Sequence, residues 1–234
     1  MGTQVIKNKP SWLGDLNIGD YAHALAMDYG ADAVENIVLT DTTHSNAGGL
    51  LTFGFSCDAY ADFTNADITV FADVAQAIPL TFATSSGADD EVAYLINARQ
   101  ISTTPISGAV GEMAGMNISG GAAGGLTRGI IEFNASATSS STTTGSQLGA
   151  VSASQSIVAN LHVTAVVGST LDVIVQSDDN SGFTSPTNRI TFSQATGITS
   201  QHLSLAGAIT DDYWRLSYTI AGGSFTFAVA IGIA

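Results

Sequence analysis

Residues 51–63 read LTFGFSCDAYADF, and this stretch decides the fold class. Apolar or small side chains occupy every second position from Leu51 to Phe63, and mostly polar residues stand between them. Successive side chains of a β-strand point to opposite faces, so this period predicts one long strand with a buried face and a solvated face. Asp58 and Asp62 fall on the solvated face.

The same alternation recurs along the chain. Further alternating segments are residues 92–98, 157–165, 171–175, 214–220 and 225–233. Between the last two, Ala221-Gly222-Gly223-Ser224 is typical of a hairpin turn, because glycine adopts the backbone angles that tight turns require. The sequence therefore predicts an all-β, mainly antiparallel fold.

One helix is expected to flank the strands. Thr64 and Asp67 have the spacing of a capping box, apolar residues follow at helical spacing, and Pro79 ends the run. This pattern predicts a helix near residues 66–77. The alanine-rich residues 21–29 are a second, weaker helix candidate.

A Ser/Thr-rich stretch divides the chain into two parts. Residues 135–147 read ASATSSSTTTGSQ, a composition that favours a linker or mobile loop. It separates an N-terminal part over residues 1–134 from an antiparallel β region over residues 148–234.

Charge excludes several classes of protein. The 234 residues carry 6 Lys+Arg against 20 Asp+Glu, for a formal net charge of -14, with a mean hydropathy of +0.27. Such a chain is too hydrophobic for disorder and too poor in cations to read nucleic-acid sequence. Apolar runs stay below the roughly 18 residues of a membrane-spanning helix, so we expect no membrane association. No cation lies between Lys9 and Arg99, and the single cysteine, Cys57, excludes an internal disulfide.

A search for catalytic motifs identifies no enzyme. No nucleophile elbow, phosphate-binding loop or zinc-protease motif is present, and the four histidines are scattered. His162 stands on the polar side of its strand, which predicts a surface or interface position. Acidic stretches at residues 89–91 and 211–212 are typical of turns, and residues 178–182 favour a β-turn over a calcium loop. We therefore expect no enzymatic activity, no cofactor and no metal.

Several motifs resemble the tail tube proteins of long, non-contractile-tailed bacteriophages. The likeness is carried by Asp41-Thr42-Thr43-His44, by the glycine-rich entry Ala47-Gly48-Gly49-Leu50 into the long strand, and by Gly108-Ala109-Val110-Gly111-Glu112-Met113. The helix near residues 66–77 and the C-terminal segments continue it. His44 departs from the pattern, because an arginine is expected at that place.

The resemblance implies a tail-tube-like β-barrel or two-sheet sandwich with one flanking helix, forming stacked, hexameric rings around a channel for the genome. Asp58 and Asp62 would face the lumen, since an acidic wall does not bind passing double-stranded DNA. Implied partners are copies of this chain, the tape measure, tail terminator and distal tail proteins. The implied location is the virion, after synthesis in the host cytoplasm.

A second interpretation comes from another class of protein. A virion decoration or adhesion β-sandwich would bind host glycans through exposed aromatic rings, and Tyr213 with Trp214 is the candidate platform. The phase of Trp214 with Leu216 and Tyr218 favours core packing instead.

Overall fold

The structure is a computed structural model that describes residues 9–38, 43, 46–122 and 125–234. It confirms an all-β, mainly antiparallel fold with one short α-helix, and the sheet is not closed. Its elements are β1 Ser11–Leu13, β2 Leu16–Asn17, β3 Ala22–Glu35, β4 Asn46–Tyr60, α1 Ala66–Asp73, β5 Ile78–Ala83, β6 Val92–Ser107, β7 Gly115–Ala122, β8 Thr127–Ala137, β9 Ser141–Thr142, β10 Ser146–Gln147, β11 Ser156–Asp178, β12 Thr187–Thr191, β13 Thr199–Ala206 and β14 Tyr213–Ile233. No helix among the described residues is long and apolar enough to cross a membrane.

The strands form one branched antiparallel sheet. Its main path runs β12-β11-β14-β8-β6-β5-β1-β2, and β6 also pairs with β7, β7 with β4, and β4 with β3. We call β1–β7 with α1 the N-terminal unit, and β8–β14 the C-terminal unit. The pairing of β6 with β8 makes the sheet continuous between the two units.

The N-terminal unit buries one face of its sheet, as the period-two pattern predicts. Phe53, Phe55, Cys57 and Ala59 of β4 are buried together with apolar residues of β5, β6 and β7. The predicted strand is correct in its centre but not at its ends. β4 begins at Asn46 and ends at Tyr60, and the side chains of Leu51 and Phe63 are exposed.

The helix prediction is partly correct. α1 covers only Ala66–Asp73, ends before Pro79, and packs on the sheet through Ala66 and Val70. Neither side chain of the predicted capping box serves as a cap, since Asn65 is the N-cap residue and makes no side-chain capping bond. The second helix candidate, residues 21–29, is wrong because most of it belongs to β3, where pairing with β4 overrides alanine's helix propensity.

The C-terminal unit is built on two very long paired strands. β11 and β14 pair from Ile157↔Ile233 to Asp178↔Tyr213. The predicted hairpin at residues 221–224 is therefore wrong, because β14 runs through it without a turn. Gly222 and Gly223 have positive φ values of 67° and 83° and lie beside Gly168 of β11.

The paired strands fold over at these glycines. Both halves of β11 and β14 contribute to one hydrophobic cluster, with Leu161 and Val229 from one half and Val173 and Trp214 from the other. A Cβ on Gly223 would lie 1.6 Å from the carbonyl oxygen of Val167, so only glycine allows the two backbones to approach this closely. A smaller cluster, which includes Trp12, Leu95, Ile131 and Ala230, joins the two units.

The Ser/Thr-rich stretch lies along the sheet. Residues 135–137 complete β8, while β9 and β10 pair with Tyr213, Trp214, Ser217 and Tyr218 of β14. The main-chain N–H of Thr143 donates a 3.0 Å hydrogen bond to the carbonyl oxygen of Leu216. Residues 135–137, 141–142 and 146–147 thus belong to the C-terminal unit's sheet, in a stretch for which the sequence predicted a linker or mobile loop.

Candidate assembly surfaces

The solvated face of β3, β4, β7 and β6 is flat and made of small polar side chains. The pairing register aligns Ser56 of β4 with Ser119 of β7 and Ser102 of β6 in one row across the sheet. In the next row Asp58 pairs with Asn117, and the Asn117 amide donates a 2.7 Å hydrogen bond to the Asp58 carboxylate. We call this surface the polar face.

Charge on the polar face is sparse and mainly negative. Asp28 and Asp58 are exposed on it, and Arg99 stands at the far end of the row that begins at Asp28. Among the described residues of these four strands, Arg99 is the only cation. The sequence placed Asp58 on the solvated face of its strand, and the structure has it there.

Asp62 does not belong to the polar face. It lies beyond the end of β4, in the turn that leads into α1, and it is partly exposed. Its carboxylate accepts hydrogen bonds from the main-chain N–H and hydroxyl of Thr64, at 2.9 and 2.6 Å, and from Asn65. These bonds favour the ionised form and lower the pKa of Asp62 to about 2. The carboxylate orders the turn before the helix, which strand alternation cannot reveal.

The hairpin of β3 and β4 projects from the sheet. β7 pairs with β4 only from Gly54 onward, so within the described ranges residues 29–35 and 46–52 pair only with each other. We call these residues the arm. They carry exposed apolar side chains, and Leu50 is 81% exposed. Further exposed apolar side chains on or next to the arm are Tyr29, Val34, Ile37, Val38 and Leu51.

A second exposed apolar surface lies at the opposite end of the same strands. The loop between β6 and β7 approaches the end of β4, where the main-chain N–H of Ala61 donates a 2.9 Å hydrogen bond to the carbonyl oxygen of Ala114. α1 follows there and presents Phe71 with 67% of its surface exposed. We call this surface the helix end. Its exposed apolar side chains are Phe63, Ile68, Phe71, Val74, Ile106, Val110 and Met113.

β3 has an open edge. Within the described part of the chain it pairs with β4 alone, so the main-chain groups along its other side have no partner strand. A cleft of about 610 Å³ follows this side, between β3 residues such as Leu25 and Met27 and the side chains of Phe82 and Tyr94. An unprotected edge strand readily pairs with another chain.

His162 is buried at the contact between the two units. The sequence predicted a surface or interface position for it, and of these two a surface position is wrong. Its ring stacks on Trp12 at 5.8 Å between centroids, Nε2 is 2.8 Å from the Thr81 hydroxyl, and Nδ1 is 2.5 Å from the Gly14 carbonyl oxygen. Burial lowers the pKa of His162 to about 4. The side of β11 that carries His162 is covered by the N-terminal unit, and the sequence of one strand does not show this.

A polar network continues from His162 across the contact between the units. The Asn160 amide donates 3.0 Å hydrogen bonds to the Leu80 carbonyl oxygen and the Thr81 hydroxyl. Its Oδ1 lies 2.7 Å from Nδ1 of His202. This buried network fixes β11 and β13 against β5.

The other candidate sites have structural roles. Asp178 accepts hydrogen bonds from the main-chain N–H groups of Asn180 and Ser185 in a turn, and Asp211 forms a 2.8 Å ion pair with Arg189. Within the ranges that the structure describes, no group of three or more histidine, cysteine or acidic side chains is placed to hold a metal ion. Trp214 is fully buried, with its indole N–H donating to the Gly149 carbonyl oxygen, so Tyr213 and Trp214 form no exposed platform.

Sequence reasoning missed Glu132, a buried carboxyl group on β8. The Thr143 hydroxyl donates a 2.5 Å hydrogen bond to it, and Ser146 lies 3.2 Å from its other oxygen. Burial raises the pKa of Glu132 to about 7, against the effect of the two hydroxyl groups. Local sequence gives no signal for it, because Ile131 and Glu132 are both buried where the register of β8 against β14 shifts.

The solved structures that are similar to this chain include the following two. One belongs to the virion of a native gene transfer agent particle, with a TM-score of 0.40 and 16% identity over 54% of this chain and 98% of the other. The second is the SPP1 Dit protein, described as a hub of the adsorption apparatus in phages that infect Gram-positive bacteria. Its TM-score is 0.39, with 12% identity over 97% of this chain and 100% of the other.

At these TM-scores neither similarity carries an argument about function. No family model and no curated protein sequence matches the chain.

Proposed function

We propose that the chain is a structural virion protein that self-assembles into the tail tube of a phage. The observation that carries the proposal is the placement of two different exposed apolar surfaces, the arm and the helix end, at opposite ends of one set of strands. The sequence resemblance to tail tube proteins supports the same function. Neither argument involves chemistry at a site, and we propose no enzymatic activity.

The two apolar surfaces favour head-to-tail contacts. Exposed apolar clusters of this kind mark interaction sites in soluble proteins. Because the arm and the helix end are different surfaces, a contact between them joins unlike patches of two copies and leaves one of each free. Such heterologous contacts repeat without limit unless a rotation closes them. The arm of one copy therefore contacts the helix end of the next along the tube.

Lateral contacts use the open edge of β3. A strand from a neighbouring copy would satisfy the main-chain groups along β3 and extend the sheet around a ring. The low fraction of charged residues, 11% of the chain, suits surfaces that stay buried between subunits. The hexameric number of copies rests on the family resemblance.

The polar face lines the channel in this assembly. Each lysine or arginine that neutralises a phosphate would add salt-dependent affinity for DNA, and the polar face offers only Arg99 against Asp28 and Asp58. Its small side chains leave the passage open, and its carboxylates repel the passing phosphates. Double-stranded DNA would therefore slide along the wall without being held. Asp62 lies at the rim, next to the helix end.

The two ends of such a tube bind other tail proteins. The arm of the last copy would be free at one end of the tube, and the helix-end surface of the last copy would be free at the other. Two different partners are therefore needed. This fits the tail terminator and distal tail proteins that the resemblance implies, with the tape measure protein inside the channel.

Electron microscopy of the purified full-length chain tests the proposal. We expect rings or tubes from the wild type, and none from Leu50→Glu, because a charge on the arm cannot be buried against an apolar partner surface. Ile198→Glu is the matched control, since Ile198 is also exposed but lies in the C-terminal unit. Isolated monomers of the wild type at high concentration, or equal loss of tubes in both variants, would contradict the proposal.

A further inference from the structure

Glu132, Ser146 and Asp90 form a cluster that the proposed function does not use. Glu132 is 2% exposed and lies on β8, whereas Asp90 is exposed in the turn before β6. The hydroxyl of Ser146 in β10 lies within hydrogen-bond distance of a carboxylate oxygen of each. The cluster therefore joins the Ser/Thr-rich stretch to β8 and to the turn before β6.

The hydrogen count of this cluster favours an additional proton. A serine hydroxyl has one hydrogen and can donate it to one acceptor at a time. If both carboxyl groups were ionised, one of the two Ser146 contacts would join oxygen atoms without a hydrogen between them. With a proton on Glu132, the carboxyl O–H donates to Ser146, and Ser146 donates to Asp90.

The surroundings place that proton on Glu132. Burial disfavours its ionised form most strongly, and the negative charges of Asp90 and Asp89 act in the same direction. Glu91 is turned away, with its carboxylate bonded to Ser86 and to the main chain of the 87–88 turn. In the part of the chain that the structure describes, no cation contacts Glu132.

The cluster holds a segment that has few other attachments. Residues 138–147 pair with β14 only through the two-residue strands β9 and β10 and a few single hydrogen bonds. The hydroxyl of Thr143 also accepts a 2.9 Å hydrogen bond from the main-chain N–H of Leu216, so the Glu132–Thr143 contact supports the pairing directly. Gly145 of this segment lies against the ring of Phe183 and the carbonyl oxygen of Trp214.

We propose that Glu132, Ser146 and Asp90 form a proton-dependent latch, which holds residues 138–147 against β14 while Glu132 is protonated and lets them open when it ionises. The closed segment binds a proton more tightly than the open segment, in which water reaches Glu132. Rising pH therefore favours the open form. The latch is a property of one chain and does not depend on the proposed assembly.

Two measurements on the full-length chain test the latch. Labelling glutamate with ¹³C at the carboxyl carbon gives signals for Glu35, Glu91, Glu112 and Glu132, and loss of one signal in Glu132→Gln assigns it. We expect that signal to titrate near neutral pH. Hydrogen exchange of residues 138–147, corrected for the intrinsic pH dependence of exchange, should show about tenfold more opening at about pH 8.5 than at about pH 6.

Matched variants separate the latch from general effects of pH. Glu132→Gln keeps the shape of the protonated group and should show no change in opening across this range. Asp90→Asn should move the titration of Glu132 to lower pH, and asparagine tolerates the positive φ of 67° at this position. Asp172→Asn removes a distant exposed carboxylate and should behave as the wild type.

Three results would overturn the inference. Titration of Glu132 at its ordinary value near 4.5 would show that no proton is held. Titration near neutral pH with unchanged exchange of residues 138–147 would show that the proton does not fasten the segment. A pH dependence that persists in Glu132→Gln would assign the opening to another group.

Discussion

The two units use apolar side chains in opposite ways. In the C-terminal unit the long strands fold over and bury their apolar side chains in one cluster, and Val167 and Ile198 are the only large apolar side chains described as exposed there. In the N-terminal unit similar side chains remain exposed on the arm and at the helix end. One unit is therefore complete in a single copy, and the other presents surfaces that a second copy can cover.

The charge distribution follows the same division. Most of the cation-free stretch between Lys9 and Arg99 lies in the N-terminal unit, where Asp28 and Asp58 face solvent. In the C-terminal unit Arg189 pairs with Asp211, and Arg215 lies over the ring of Phe183 at 4.4 Å. Arg189 and Arg215 thus contact side chains of their own chain, whereas Asp28 and Asp58 on the polar face are exposed to solvent.

Replacing Gly223 by alanine should have the largest effect, because it disrupts the close approach of β11 and β14 in the C-terminal unit. A Cβ there would lie 1.6 Å from the Val167 carbonyl oxygen, so we expect a loss of more than about 4 kcal/mol in the free energy of unfolding, measured in urea. Gly111→Ala is the control, because Gly111 also has a positive φ, 95°, but no atom lies within 4 Å of its Cβ position. That change should cost only about 1–2 kcal/mol. Equal losses would show that the close approach at Gly223 is unimportant.

Alanine substitutions at one buried and one exposed phenylalanine test the difference between the two units directly. Phe227→Ala removes a buried ring from the C-terminal cluster and should cost about 3–5 kcal/mol of unfolding free energy. Phe71→Ala removes an exposed ring from the helix end and should change stability by less than about 0.5 kcal/mol, while reducing tube formation. If Phe71→Ala destabilised the single chain as strongly as Phe227→Ala, the helix end would not be a free surface.

His162 tests the contact between the units. Its pKa is about 4 in the folded chain and 6.5 ordinarily, so the unfolded chain binds more protons between these values and folding loses stability as pH falls through them. The stability difference between the wild type and His162→Gln should therefore shrink by about 3 kcal/mol from neutral pH to pH 4. Comparing the two proteins at each pH cancels the opposite effect of Glu132. His23→Gln, at an exposed position, should show no such trend.

Asp58→Lys should have the smallest effect on the single chain. Because Asp58 is exposed, we expect a stability change within about 0.5 kcal/mol. In assembled tubes the same change should create DNA binding that weakens with added salt. Asp172→Lys on the C-terminal unit is the control. DNA binding by both variants alike would show that the polar face does not line the channel.

The alternation of apolar and polar residues predicted those features of the fold that are set within a single strand. The period over Phe53–Ala59 identified the buried face of β4 and the solvated position of Asp58, because strand geometry fixes both. The pattern could not show what covers the second face, and for this reason the sequence left a surface or an interface position open for His162. Gly222 and Gly223 were interpreted as a turn, because a bend in a continuing strand requires the same positive φ.

The candidate surfaces were predictable only in part. The sequence indicates acidic side chains and few cations in the first half, but it does not show that the pairing of β4 with β7 ends at Gly54, beyond which no described strand continues it along the arm. Glu132, Ser146 and Asp90 are far apart in sequence and meet only because β8, β10 and the turn before β6 share one part of the sheet. Contacts between segments that are far apart in sequence produce no periodic pattern within either segment, so the sequence does not predict them.

The continuity of β11 and β14 also has a mechanical consequence. Both strands pass from one half of the C-terminal unit to the other without interruption, and they remain paired almost throughout. A force that pulls Ile157 of β11 and Tyr213 of β14 apart acts on opposite ends of the two paired strands and loads the hydrogen bonds between them in shear, all at once. The two strands therefore cannot separate one bond at a time, and the pair should resist force along the strands far better than force across them.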